Sequence, residues 1–113
     1  MYEYRGRIKR VIDGDTVEAE IDLGFHVTFT VTLRLAGINA PETKGAERSR
    51  GLAATRFLDT LINDLTGGTR ELTVRTQKDV TEKYGRYLAI LIAGDMNLSD
   101  RMLADGHAVP FMV

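Results

Sequence analysis

The chain has 113 residues, enough for one domain to bury a core of its own, and we predict a single domain over 1–113. It contains no cysteine, which excludes disulfides and thiolate metal sites. With 15 Lys plus Arg against 16 Asp plus Glu, the formal net charge is −1, so that any phosphate recognition must be local. The sequence has neither the apolar core of a signal peptide nor a membrane-spanning apolar stretch, which predicts a cytoplasmic location and no membrane partner.

The first third of the chain alternates apolar and polar residues with the period of two that half-buried strands require. This pattern predicts strands over about 3–12, 15–23 and 26–36, with turns at Asp13-Gly14 and Leu23-Gly24. Three consecutive antiparallel strands of this kind form a meander.

A helical spacing of apolar residues follows Pro41. It predicts a helix that runs through 52–65 and ends at Gly67-Gly68. The apolar face is broad enough to pack on the sheet.

Two more strands are predicted over 71–74 and 87–92, separated by a polar loop at about 76–85, and a short helix over 97–104 follows. The order of three strands, a helix, two strands and a helix predicts a mainly β fold with α-helices. It matches a five-stranded Greek-key barrel of the oligonucleotide-binding class, the OB-fold, with one longer and one short helix.

The junction of the first two strands carries two carboxylates, in Asp13-Gly14-Asp15-Thr16. Asp-Gly is typical of hairpin turns, which is one interpretation. Carboxylates two positions apart can also converge on one hard cation, because calcium and magnesium prefer oxygen ligands. The motif alone leaves both open.

A second polar cluster follows the third strand, where Arg34 lies among apolar residues and Asn39 and Glu42 come shortly after. A guanidinium in such a strand needs either an ion-pair partner or an anion to bind. A third cluster, Glu82-Lys83-Tyr84-Gly85-Arg86, suits contacts with phosphates and a base or sugar, although the same composition is typical of a solvated loop.

In this order and at this spacing, the three clusters resemble the staphylococcal nuclease (thermonuclease) family. The similarity extends over most of the chain, through 11–17, 33–42, 82–89 and 103–108. It implies a calcium-dependent nuclease that hydrolyses phosphodiester bonds of DNA, RNA or both, with single strands preferred, and leaves 3′-phosphate products.

The resemblance also implies a set of metal ligands. Asp15 falls on a metal-ligating aspartate of the family, and Asp13 on an acidic position that helps to arrange the metal. Asn39 stands where metal-binding members have a second aspartate, and Ala40 where a backbone carbonyl binds the metal. Calcium accepts amide oxygens, but its affinity falls as ligand charge is removed, so reduced metal affinity is expected.

The catalytic roles are implied in the same way. Glu42 falls on the glutamate that activates or orients the attacking water, and Arg34 and Arg86 on the arginines that hold the target phosphate. Lys83 and Tyr84 fall on positions that contact a neighbouring phosphate of the substrate.

The neutral residue at position 39 keeps an alternative function open. A neutral Asn39 could mark a catalytically weakened or inactive member that serves as a binding module for nucleic acid or protein, although Arg34, Glu42 and Arg86 together favour hydrolysis.

The family's barrel is usually followed by a further helix, whereas this sequence stops after the apolar stretch 110–113. Those apolar residues either pack on the barrel or are covered by another subunit, which predicts a weak homo-oligomer.

Overall fold

A closed five-stranded barrel forms the body of the molecule. A computed structural model describes the backbone of residues 2–81 and 85–111, and the side chains of these residues apart from 78–81. In chain order the elements are β1 (Tyr2–Asp13), β2 (Thr16–Asp22), β3 (Thr28–Leu35), β4 (Ile38–Asn39), α1 (Arg48–Leu65), β5 (Glu71–Thr81), β6 (Tyr87–Ala93), β7 (Met96–Asn97), α2 (Leu98–Ala104) and β8 (Val109–Pro110). Neither of the two helices in the described residues combines the length and the apolar character needed to cross a membrane.

The barrel closes through a parallel seam between β3 and β6. Strands β1, β2 and β3 form the predicted antiparallel meander, and β1 also pairs with β5, which pairs with β6. Leu33, Arg34 and Leu35 then pair in parallel with Tyr87, Leu88 and Ala89, which joins the two ends of the sheet. The predicted five-stranded barrel with one longer and one short helix is confirmed.

The core fills the interior of the barrel with side chains from alternate strand positions. Val17 and Ala19 of β2 and Leu33 and Leu35 of β3 are buried in this way, which follows from the period of two along a strand. Helix α1 adds buried side chains at a helical spacing to the same cluster, namely Ala54, Leu58, Leu61 and Ile62.

Two strand boundaries differ by more than one residue from those that the sequence predicts. Strand β5 continues to Thr81, instead of giving way to a loop near 76, because β6 offers partners as far as Thr81↔Tyr87 and the ladder supplies the backbone hydrogen bonds. Strand β3 begins at Thr28, not at 26, because Gly24, Phe25 and His26 have φ of 79°, 55° and 61°. These left-handed residues form the tip of the β2–β3 hairpin.

The segment after α2 packs on the barrel's own loop. Strand β8 pairs with β4 through Ile38↔Pro110 and Asn39↔Val109. The Phe111 N–H then donates to the Gly37 carbonyl at 2.9 Å. Of the two alternatives for the apolar end, packing on the barrel is therefore observed as far as Phe111.

Candidate functional site

One open cavity of about 1260 Å³ on the barrel surface gathers most of the predicted site residues. Those that line it are Asp13, Asp15, Arg34, Asn39, Ala40, Glu42 and Arg86. Lys83 and Tyr84 lie outside the described residues. Chain segments far apart in the sequence therefore meet at this cavity.

The turn between β1 and β2 presents its two carboxylates because the segment after β4 lies directly against it. The Asp15 N–H donates to Oδ1 of Asp13 at 3.0 Å, which shapes the turn. A Cβ on Gly14 would lie 2.7 Å from Cβ of Ala40 and 2.9 Å from Cβ of Ala54, so only glycine allows this close approach. The approach lets the Ala40 N–H donate to Oδ2 of Asp15 at 2.8 Å.

Arg34 is buried, and its guanidinium is held by backbone and side-chain oxygens. Nη1 donates to the carbonyls of Leu35 and Ile38, each at 2.9 Å, and Nη2 donates to Oδ1 of Asn39 at 3.2 Å. Nη2 also lies 3.7 Å from Oδ2 of Asp15. An ion-pair partner for Arg34 is thus present in the described part of the chain.

The aromatic ring of Phe111 covers Arg34. The sequence patterns did not single out Phe111 as a site residue. The ring centroid of Phe111 lies 5.5 Å from Cζ of Arg34, within cation–π range, and Phe111 also lines the cavity. The backbone bond from Phe111 to Gly37 places the ring there. No local pattern predicts this contact, because it depends on the pairing of β4 with β8.

The two carboxylates of the turn titrate as a pair. Burial, followed by the hydrogen bond to Asp15 and repulsion from its charge, raises the pKa of Asp13 to about 6. Burial alone would raise the pKa of Asp15 as well, but hydrogen bonds from Asp13 and the Ala40 N–H, together with the charge of Arg34, outweigh it and lower that pKa. Of the two carboxyl groups, Asp13 therefore holds a proton more readily than Asp15.

Arg86 is linked to the carboxylates through a hydroxyl. Its Nη1 donates to Oγ1 of Thr16 at 3.2 Å, and Thr16 Oγ1 donates to Oδ1 of Asp15 at 3.0 Å. Arg86 directly precedes β6, so the parallel seam with β3 brings it to the same cavity as Arg34.

Glu42 stands in an exposed position on the loop between β4 and α1. Its N–H donates to Oε1 of Glu47 at 3.2 Å. Gly51 of α1 packs so closely on the Glu42 backbone that a Cβ at 51 would overlap the Glu42 carbonyl oxygen. Gly51 therefore positions the loop that carries Glu42, a role that the sequence pattern missed because a glycine in a helix gives no sign of its tertiary neighbour.

The oxygens of this site fit a hard cation, with modest ligand charge. Asp13 and Asp15 offer carboxylates, Asn39 an amide oxygen and Ala40 a carbonyl, all ligands of the type that calcium prefers. Among the residues that the structure describes, however, no group of three or more Asp, Glu or His side chains comes together.

Comparison with known proteins identifies the family of the chain. The family model "Staphylococcal nuclease homologue" matches residues 32–113. The chain belongs to the staphylococcal nuclease family. Arg34, Asn39, Glu42 and Arg86 lie inside the matched stretch.

Two curated relatives extend the comparison. The chain is 35% identical over 95 residues to a micrococcal nuclease of Shigella flexneri, an alignment that covers 80% of this chain and 44% of that protein. It is 26% identical over 117 residues to endonuclease YhcR of Bacillus subtilis (strain 168), covering 98% of this chain and 9% of that protein. The chain thus spans less than half the length of either relative.

Proposed function

We propose that this domain is a calcium-dependent nuclease that hydrolyses phosphodiester bonds of DNA, RNA or both and leaves 3′-phosphate products. The observation that supports the proposal most is the meeting of Arg34, Arg86, Glu42 and a carboxylate pair at one open cavity. Family membership supports the same reaction class.

Arg34 and Arg86 bind the target phosphate in this proposal. The two backbone carbonyls and the Asn39 amide hold the Arg34 fork before substrate arrives. Donors that are already oriented stabilise the charge that builds on the phosphoryl oxygens without further reorganisation. The link from Arg86 through Thr16 to Asp15 orients the second guanidinium in the same way.

Glu42 orients the attacking water and accepts its proton. Its exposed position at the cavity edge gives a water molecule access to the carboxylate. A general base must come within hydrogen-bond reach of the proton that it removes, and the backbone contact with Gly51 keeps the Glu42 loop in place for this.

Calcium, when bound by the oxygens of Asp13, Asp15, Asn39 and Ala40, supplies positive charge beside the reacting phosphate. Asn39 is neutral, so the site has one negatively charged ligand fewer than a site with aspartate at this position. This lower ligand charge weakens calcium binding. Reduced metal affinity is therefore part of the proposal. Asn39 Oδ1 also accepts a hydrogen bond from Arg34, which competes with a metal ion for this oxygen and favours the same reduced metal affinity.

Nucleic acid is the proposed partner, with single strands preferred. The net charge of −1 gives few phosphate contacts outside the cavity, so binding is modest and salt-sensitive. Lys83 and Tyr84 are proposed to contact a neighbouring phosphate.

Weak self-association through the C-terminal residues stays a prediction. Sedimentation at several protein concentrations tests it.

The test is cleavage of single-stranded DNA while calcium is titrated from micromolar to tens of millimolar, followed by analysis of product ends. Glu42→Gln should abolish calcium-dependent cutting, whereas Glu71→Gln, an exposed glutamate away from the cavity, should not change it. Wild-type protein that binds DNA without cutting it, and gains cutting in Asn39→Asp, would instead identify a binding module on a nuclease scaffold.

A further inference from the structure

A second cavity, of about 360 Å³, opens at one mouth of the barrel. We call it the barrel-mouth cavity. Among the side chains that the structure describes, its lining is apolar or aromatic apart from Thr76 and contains no charged group; Tyr4, Leu23, Phe29, Val74, Thr76 and Tyr87 are among its lining residues. None of these described lining residues also lines the surface cavity that holds Arg34 and Arg86.

The two cavities lie on opposite faces of the same strands. Leu33 and Tyr87, which are partners across the β3–β6 seam, line the barrel-mouth cavity. Their sequence neighbours Arg34 and Arg86 line the surface cavity. Because successive side chains of a strand point to opposite faces, the seam forms a wall between the two sites.

Thr76, which lines the barrel-mouth cavity, faces another small residue across the β5–β6 pair. Along β5, Leu72, Val74 and Thr76 are buried at alternate positions, so Thr76 continues the inward row. Its partner on β6 is Ala89. A threonine opposite an alanine leaves space that a larger pair of core residues would fill.

Thr76 also places an unsatisfied polar group in this apolar space. The residue is only 7% exposed, and its Oγ1 has no hydrogen-bond partner in the described parts of the chain. Buried hydroxyls in native proteins are nearly always paired, because an unpaired one loses its hydration without compensation. The Thr76 hydroxyl is therefore available to form a hydrogen bond with a molecule in the cavity.

We propose that the barrel-mouth cavity binds a neutral ligand of one or two aromatic rings that carries a single hydrogen-bonding group directed at Thr76. An apolar cavity of about 150 Å³ already accepts benzene, and ligand cavities commonly begin near 300 Å³. The described lining residues carry no charge and therefore suit a neutral molecule, and the rings of Tyr4, Phe29 and Tyr87 favour aromatic contacts.

A nucleobase is a poorer occupant than such a ligand. Each base carries several donors and acceptors on its edges, whereas the described side chains of the lining offer only the hydroxyls of Tyr4, Thr76 and Tyr87, so that some base polar groups would be buried unpaired. The site is therefore separate from the proposed nuclease function and does not depend on it.

The experiment compares two probes that differ by one hydroxyl, 2-naphthol and naphthalene. Binding to the whole 113-residue chain is measured by titration calorimetry and by amide chemical shifts. Thr76→Val keeps the shape and removes the hydroxyl, so it should weaken 2-naphthol about five-fold, the value of one neutral hydrogen bond, and leave naphthalene unchanged. The same variant should raise the Tm of the free protein, because an unpaired buried hydroxyl disappears.

Two further variants complete the test. Thr76→Phe fills the space and should abolish binding of both probes. Thr30→Val, an exposed threonine on β3, is the matched control and should alter neither affinity.

Several results would overturn the proposal. One is the absence of saturable binding of either probe to the wild type, and another is an equal loss of both probes in Thr76→Val. A concentration-dependent dimer that Phe25→Ser abolishes would assign the mouth to a second copy of the chain instead, since Phe25 is 97% exposed at the adjacent hairpin tip.

Discussion

Arg34 and Asp15 form a buried ion pair, with Nη2 3.7 Å from Oδ2 and side chains only 7% and 9% exposed. The pair joins the proposed phosphate-binding arginine to the proposed metal-binding carboxylate. Each residue therefore supports the fold as well as the chemistry, and a loss of activity on substitution has to be separated from a loss of stability.

Removal of Arg34 alone should destabilise the domain strongly. Arg34→Met leaves Asp15 buried beside Asp13 without a compensating charge, which typically costs about 3–5 kcal/mol of unfolding free energy. The double variant Arg34→Met/Asp15→Asn should lose less than the sum of the two single changes. Urea unfolding of the four proteins measures the coupling, and additivity to within about 0.5 kcal/mol would contradict it.

Gly51→Ala should destabilise the protein, opposite to the usual effect in a helix. Alanine normally favours a helix interior over glycine by about 1 kcal/mol, but here its Cβ would overlap the Glu42 carbonyl oxygen. We expect a lower Tm and a lower rate of DNA cleavage, because the Glu42 loop must move. Ser49→Ala, an exposed position in α1, is the control and should change stability by less than about 0.5 kcal/mol. A stabilised Gly51→Ala variant would show that the loop yields without consequence.

The stability of the metal-free domain should carry a pH dependence that belongs to Asp13. Its pKa in the folded protein is about 6, above the ordinary value of 3.8, so the folded state holds this proton more tightly than the unfolded chain. The stabilising contribution is therefore complete below about pH 4 and is lost as the pH rises through about 6.

Asp13→Asn isolates this contribution, since asparagine imitates the protonated acid and does not titrate. Urea unfolding with a chelator present, from pH 4 to pH 7, should show the wild type losing stability relative to the variant as the pH rises. A difference that stays constant or changes in the opposite direction would exclude the assigned pKa shift.

Asn39→Asp should strengthen calcium binding. The added carboxylate raises the ligand charge, and a gain of about 1.4–2 kcal/mol corresponds to roughly 10- to 30-fold in affinity. Asn97→Asp is a matched control, because it adds the same charge at the N-cap of α2, where aspartate also accepts the Ser99 N–H. Titration calorimetry should show tighter calcium binding only for Asn39→Asp; equal gains in both variants would indicate a general charge effect.

How far the sequence predicts this molecule depends on whether a feature is local. The barrel strands and α1 follow from periodicity, and the polar residues Asp15, Arg34 and Glu42 stand out because they interrupt apolar patterns or cluster near turns. The roles of Gly51, Phe111 and Thr76 are not predictable in this way, because each depends on a neighbour that only the closed barrel supplies. The length of β5 is a similar case, since its polar end becomes a strand only where β6 pairs with it.

The pairing of β4 with β8 also sets the order of events during synthesis. Asn39 pairs with Val109, and the Phe111 ring covers Arg34, so residues that are synthesised early form these contacts with residues that are synthesised late. Ribosomes add about 5–20 residues per second from the N-terminus, and a contact cannot form before both partners have emerged. A nascent chain that displays Asp15, Arg34 and Glu42 therefore still lacks the β4–β8 pair and the ring over Arg34, and the cavity is complete only after translation has passed Phe111.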